Sequence, residues 1–177
     1  YGKSRAAQSL EYLAGAAGIE EVRRNDVFLT SPLIFIINTT QAMNGRQLVQ
    51  QYYDYFNQQN WGGMLSLLSD DVIHEVNQGG TRTGKDLYRD FLAHMDHCYE
   101  ETLSDMVLMS DESGHRIACE FVVNGIYKNT DGSLPQATGQ TYQLPAGAFL
   151  EVSDGKIQRV TTYYNLPLWL RLIGAGE

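Results

Sequence analysis

Long apolar runs are missing from this 177-residue sequence. The longest, Leu33 to Ile37, falls well short of the roughly 18 residues a bilayer span requires, and it lies too far from the start to be the core of a signal peptide. Basic charge is also scarce. Thirteen Lys and Arg stand against 21 Asp and Glu, a net charge of −8, and residues 1–44 hold four of each sign, so the deficit lies wholly in residues 45–177. An acidic body is a poor match for a phosphate backbone or an anionic lipid surface, so neither nucleic acid nor membrane is an expected partner. Cysteine is limited to Cys98 and Cys119, which sit in different predicted elements and match no zinc or redox spacing. Both are expected to be reduced and buried, which points to a cytoplasmic setting. Four catalytic signatures are absent as well: the phosphate-cradling glycine loop, the dinucleotide fingerprint, HExxH and the nucleophile elbow. No cofactor is implied.

What is present is core-forming material. Hydrophobic residues make up 43% and charged ones 19%, with 11 Tyr and 6 Phe, which is the composition of one folded domain. A helix-like stretch, Ser4 to Ala17, and a strand-like one, Val27 to Ile37, precede a change of character at Asn44-Gly45. Residues 1–42 are therefore set apart as an N-terminal extension with no assigned role, 43–173 as the domain and 174–177 as a tail. Val49, Tyr52, Tyr53 and Phe56 recur at helical spacing and predict a helix over Arg46 to Asn60. Trp61 to Leu68 predicts a shorter one, Val72 to Asn77 a strand, and Lys85 to about Glu101 a third helix through Leu87, Phe91, Met95 and Cys98. Four β-rich segments follow: Met106 to Met109, Arg116 to Tyr127, Thr141 to Glu151 and Lys156 to Tyr164. Helices first and hairpin strands afterwards give an α+β fold with one antiparallel sheet covered on one face, and an apolar pocket between the layers.

Chemistry in such a protein must come from polar groups facing that pocket. Val72, His74 and Val76 share one face of the first predicted strand, so His74 is placed in apolar company. It reads either as a hydrogen-bonded core histidine or as a proton carrier. Glu120 lies in a strand with two largely apolar faces, where a carboxylate either pairs with a cation or has its pKa raised and becomes a candidate base. Tyr52 occupies the middle of the first helix's stripe, with Phe56 one turn on, and its hydroxyl requires a partner or a ligand oxygen. One of Tyr163 and Tyr164 should line the pocket, and Tyr164 is the choice. His94 and Cys98, at i and i+4 with His97 nearby, form only a partial ligand set, so no metal is expected.

The words YYDYFN (Tyr52 to Asn57), WGGML (Trp61 to Leu65), HEVNQGG (His74 to Gly80), LPAGAF (Leu144 to Phe149) and VTTYYN (Val160 to Asn165) together resemble the ketosteroid-isomerase-related, SnoaL-like group of the NTF2-like superfamily over about residues 43–173. The resemblance implies a cone-shaped curved sheet with the helices across its mouth, a hydrophobic small-molecule ligand and a homodimer formed through the outer sheet face. It also implies an oxyanion-binding tyrosine at Tyr52. The isomerases' base Asp falls on Val76 and their neutral Asp on Gly147, so neither acid of that mechanism, which is a standard example of pKa tuning, is present. The final-strand acid of SnoaL-type cyclases is likewise missing from Val160 to Thr162. Glu120, Val122 and Asn124 fall on pocket-lining positions, which makes Asn124 a ligand contact and Glu120 the pocket's carboxylate. The resulting expectation is a cofactor-free isomerase or lyase-type enzyme moving a proton beside a carbonyl, with Glu120, Tyr52 and His74 as its working groups. The alternative is a non-catalytic ligand-binding or dimerisation module of the same fold.

Overall fold

The computed structural model describes residues 43–77 and 79–175. The expected extension 1–42, with its helix-like and strand-like stretches, and the end of the expected tail lie outside the described residues. Helix α1 (Gly45–Asn57) starts where Asn44 caps it: the Asn44 side chain accepts from the Gln47 amide while the Gln47 side chain accepts from the Asn44 amide. Its buried stripe is Leu48, Val49, Tyr52 and Tyr53. Helix α2 (Trp61–Leu67), capped by Asn60, leads directly into strand β1 (Leu68–Val76). A two-residue strand β2 (Arg82–Thr83) precedes helix α3 (Lys85–Cys98). Then come β3 (Tyr99–Ser110), β4 (Arg116–Tyr127), β5 (Thr141–Ser153), β6 (Lys156–Tyr164) and a closing helix α4 (Leu166–Leu172).

Among the described residues, six strands form one sheet in the order β2-β1-β6-β5-β4-β3. β1 runs parallel to β6, and every other pair is antiparallel. The expected α+β class holds. No helix among the described residues is long and apolar enough to cross a membrane, and both cysteines are free and buried.

The structure departs most from the sequence reading at two places, and β1 also starts four residues early, at Leu68. α3 stops at Cys98 and β3 begins at Tyr99, because β4 pairs with each residue from Tyr99 to Ser104, starting at the Tyr99–Tyr127 pair. Cross-strand pairing outweighs the local helical spacing here. Farther along β3 the register shifts between Ser104 and Val107, and Asp105 takes a φ of 54°. This bulge keeps Tyr99, Glu101 and Leu103, and then Met106 and Leu108, on the concave side. The second change is α4, capped by Asn165 with Pro167 in its first turn, where strand periodicity gave no helix.

The concave face and the helices share two packed clusters. One joins Leu48, Val49 and Tyr53 of α1 to Phe121, Leu150 and Ile157 of the sheet. The other, toward α4, contains Cys98, Tyr99, Tyr127, Tyr142, Leu144 and Ile173. Between them the sheet curves away from the helices and leaves a space.

Candidate functional site

That space is a cavity of about 340 Å³. Tyr52 and Phe56 of α1, His74 and Val76 of β1, and Tyr164 of β6 all line it. Glu120, Asn124 and Gly147 do not. Phe121 is buried and Val123 lines the cavity on β4, so their neighbours Glu120, Val122 and Asn124 point to the convex face. Ala146 and Ala148 likewise turn Gly147 of β5 outward, opposite Glu120 in the ladder. The expectation that Glu120 is the pocket's carboxylate is therefore corrected. With period 2, an error of one residue moves a whole strand's side chains to the other face, and β4's two apolar faces left that parity open. Asn124 instead donates to Ser104 Oγ at 3.1 Å and accepts from Gln143 Nε2 at 3.0 Å.

His74 is 2% exposed, and its ring centroid lies 4.4 Å from that of Tyr88 and 4.5 Å from that of Phe91. Burial in this aromatic pocket pushes its pKa down to about 4, and the Arg82 charge nearby adds to the effect. The imidazole is neutral at pH 7. Its Nδ1 is buried with no hydrogen-bond partner among the described residues. A polar atom left in that state in a well-packed interior is uncommon and calls for an explanation.

Beside it, the hydroxyls of Tyr52 and Tyr88 lie 2.5 Å apart. Burial raises both phenol pKa values, that of Tyr88 to about 12 and that of Tyr52 well above its usual value. Both groups therefore stay protonated and act as donors. One proton is shared between the two oxygens, and the second hydroxyl proton is left over for a ligand atom.

Three acidic residues line the cavity, Asp96, Glu101 and Asp131, and of these Glu101 of β3 is the one on the sheet. It accepts a 2.5 Å hydrogen bond from the Tyr142 hydroxyl, and desolvation raises its pKa despite that bond. Tyr164 is pushed up too, by burial first and by the Glu101 charge second. Sequence reasoning misses Glu101 because the third predicted helix runs on to about that residue, beyond the Cys98–Tyr99 junction. The alternation of Tyr99, Glu101 and Leu103 against Glu100, Thr102 and Ser104 was the available signal. The site thus has two polar centres: His74 with Tyr52 and Tyr88 on the α1 and α3 side, and Glu101 with Tyr142 and Tyr164 on the α4 side. His94, Asp131 and Arg82 stand among the residues around them.

Comparison with known proteins agrees with this geometry. The family model of the SnoaL-like domain matches residues 49–160. A candidate polyketide cyclase from Pseudomonas putida is 47% identical, with a TM-score of 0.73 over 75% of this chain and 99% of that one. A candidate ketosteroid isomerase from Kribbella flavida is 27% identical, with a TM-score of 0.51 over 68% of this chain and 77% of that one. An NTF2-like protein from Burkholderia xenovorans shares the fold at 14% identity, with a TM-score of 0.61 over 75% of this chain and 99% of that one. No curated protein sequence matches the chain. The cone of strands, the helices across it and the extent of these matches make one statement secure: the chain belongs to the SnoaL-like domain family and has the NTF2-like fold.

Proposed function

We propose that the chain binds a small apolar carbonyl compound inside the cone and moves a proton at the carbon next to its carbonyl, without a cofactor. The observation that carries this reading is the orphaned Nδ1 of buried His74 beside the Tyr52–Tyr88 pair. A neutral imidazole can accept the proton. The spare phenol proton of the buried tyrosine pair can meet the oxygen on which negative charge develops. Glu101, held by Tyr142, is a second group able to carry a proton, across the same cavity. A base of pKa about 4 is weak, but it is fully available at pH 7, and the Asp base of ketosteroid isomerase works from a similar value. The name of the Pseudomonas relative favours ring ketones of polyketide type as the compounds to try first.

The test is deuterium exchange into cyclic ketones and 1,3-diketones in D₂O, followed by NMR, for the natural chain, His74→Gln and Tyr52→Phe. Exchange that His74→Gln abolishes and Tyr52→Phe slows is the expected result. Exchange unchanged in a folded His74→Gln chain overturns the assignment of the base. Ligand binding in a thermal-shift assay with no exchange for any compound favours the non-catalytic module instead.

We also propose that a second copy of the chain covers the convex sheet face, and that the pair works in the cytoplasm. Val107 and Met109 of β3, Phe149 of β5 and Tyr163 of β6 are exposed on outward positions, with Ala118 and Glu120 of β4 between the β3 pair and Phe149, and the Phe149 and Tyr163 rings lie 6.0 Å apart. Scattered apolar side chains are normal on a surface, whereas a contiguous group on a sheet face suits a partner. Phe149→Glu should convert a dimer to monomers in analytical ultracentrifugation. A natural chain that sediments as a monomer removes the proposal.

A further inference from the structure

Three side chains of different chemistry converge at the edge of the cavity. His94 and Cys98 lie one turn apart on α3, and Asp131 lies in the loop between β4 and β5. A ligating atom from each (an imidazole nitrogen, the thiol sulfur and a carboxylate oxygen) falls within 4.8 Å of the other two, and His94 Nε2 lies 3.0 Å from Asp131 Oδ1. Bonds of about 2.0 Å to nitrogen or oxygen and about 2.3 Å to sulfur place the donors of a tetrahedral site roughly 3.3 to 3.5 Å apart. The nitrogen and oxygen, 3.0 Å apart, are already near that spacing, and the sulfur lies within 4.8 Å of both.

The surroundings fix them there. The Cys98 carbonyl accepts from the amides of Lys128 at 2.8 Å and Asn129 at 3.2 Å, and the Asn129 side chain donates to the His97 carbonyl at 2.6 Å. The loop is thus tied to the end of α3 before it reaches Asp131, whose amide donates to Tyr127 Oη at 2.8 Å. Asp131 Oδ2 accepts from the Tyr99 hydroxyl at 2.7 Å, leaving Oδ1 toward His94. A carboxylate oriented by a hydrogen bond to its second oxygen is the usual support behind a metal ligand.

We infer that His94 Nε2, Cys98 Sγ and Asp131 Oδ1 form a binding site for one zinc-class divalent ion, set at the rim of the cavity. Nitrogen, sulfur and oxygen donors together suit a borderline ion, whereas magnesium and calcium take oxygen alone. Three protein ligands leave a fourth position for water or a ligand atom, and two of the three, His94 and Asp131, line the cavity. The sequence pattern contained only the helix pair, and the third ligand lies 33 positions after Cys98 in the chain.

Cobalt(II) tests this directly, because a cobalt–thiolate bond gives a near-ultraviolet charge-transfer band and tetrahedral cobalt gives intense visible bands. The full chain, purified metal-free and reduced, is titrated with cobalt chloride. One equivalent should develop both features, and zinc should then abolish them by displacement. Cys98 and Cys119 are the two cysteines of the chain, so paired variants locate the sulfur. Cys98→Ser should lose the charge-transfer band while Cys119→Ser keeps it, and Tyr99→Phe should weaken cobalt binding by about tenfold or more. Absence of the band in the natural chain, or its survival in Cys98→Ser, overturns the inference. Circular dichroism of each variant separates loss of the site from loss of fold. The outcome is independent of the exchange assay on His74, since none of the three ligands takes part in that chemistry.

Discussion

Tyr52 and Tyr88, 36 residues apart in the chain, share one hydrogen bond of 2.5 Å between their hydroxyls beside His74 in the cavity wall. Neither has a second partner among the described residues, so each single removal strands the other. Tyr52→Phe or Tyr88→Phe should cost about 1 to 3 kcal/mol of stability, the usual penalty for a buried hydroxyl left unpaired. The double variant should cost less than the sum. A double-mutant cycle by urea denaturation measures the coupling, and strict additivity would show that the two hydroxyls do not interact.

Acid should act on the fold through His74. The unfolded imidazole binds its proton near pH 6.5 while the folded one holds out to about 4, so the unfolded state takes up more protons between those values. Stability is full above pH 6.5 and falls by up to about 3 kcal/mol as the pH drops through that window. His74→Leu should flatten this part of the curve. Urea midpoints of the two chains at pH 7 and at pH 4.5 give the comparison.

Glu101 acts with the opposite sign. Its folded pKa is raised, so the folded state holds a proton that the unfolded state has already lost, and the fold weakens as pH rises through the folded value. Glu101→Gln removes the charge and keeps an acceptor for Tyr142. It should therefore equal or exceed the natural chain in melting temperature at pH 8, while Tyr142→Phe, which strips the carboxylate of its donor, should melt lower.

Gly125 faces Tyr142 directly across the β4–β5 ladder, and a Cβ at that position would overlap the tyrosine ring. Gly125→Ala must push Tyr142 aside or part the strands. A loss of about 1 to 3 kcal/mol is expected, with the high-pH sensitivity of the Glu101 site altered as well. Thermal denaturation at pH 6 and pH 8 would reveal both effects.

Glu120 provides the contrasting case. It projects from the convex face between Val107 and Gly147 of the neighbouring strands, so Glu120→Gln should leave ligand-induced shifts in melting temperature unchanged. A changed ligand response with an unchanged oligomeric state would contradict this placement.

The comparison of Glu101 with Glu120 shows how much of the site was legible in the sequence. The α+β class and the order of the main elements could be read, β2 and α4 excepted, and the alternation of Val72, His74 and Val76 marked an inward face for β1 without fixing its register against Glu75. β4 had no such contrast: Cys119, Phe121 and Val123 alternate with Ala118, Val122 and a lone Glu120, so hydrophobicity gave both parities nearly equal weight. β3 failed differently. Leu87, Phe91, Met95 and Cys98 carry helical spacing up to the junction, and only the ladder with β4 shows that the chain is already extended at Tyr99. The three-residue rim cluster was illegible for a third reason, since contact between α3 and the loop after β4 is a product of the fold.

The parallel contact between β1 and β6 has a consequence for synthesis. Chains emerge from the ribosome amino end first, yet Thr161, which donates to Glu75 at 2.9 Å, follows it by 86 residues. Until β6 has been made, the strand carrying His74 has, among the described residues, only the two-residue β2 as a sheet neighbour. Closing so long a loop late places this step among the slower events of folding. A nascent or truncated chain that stops before β6 therefore has one wall of the cone unattached, so ligand binding would report that translation had run at least through the last strand.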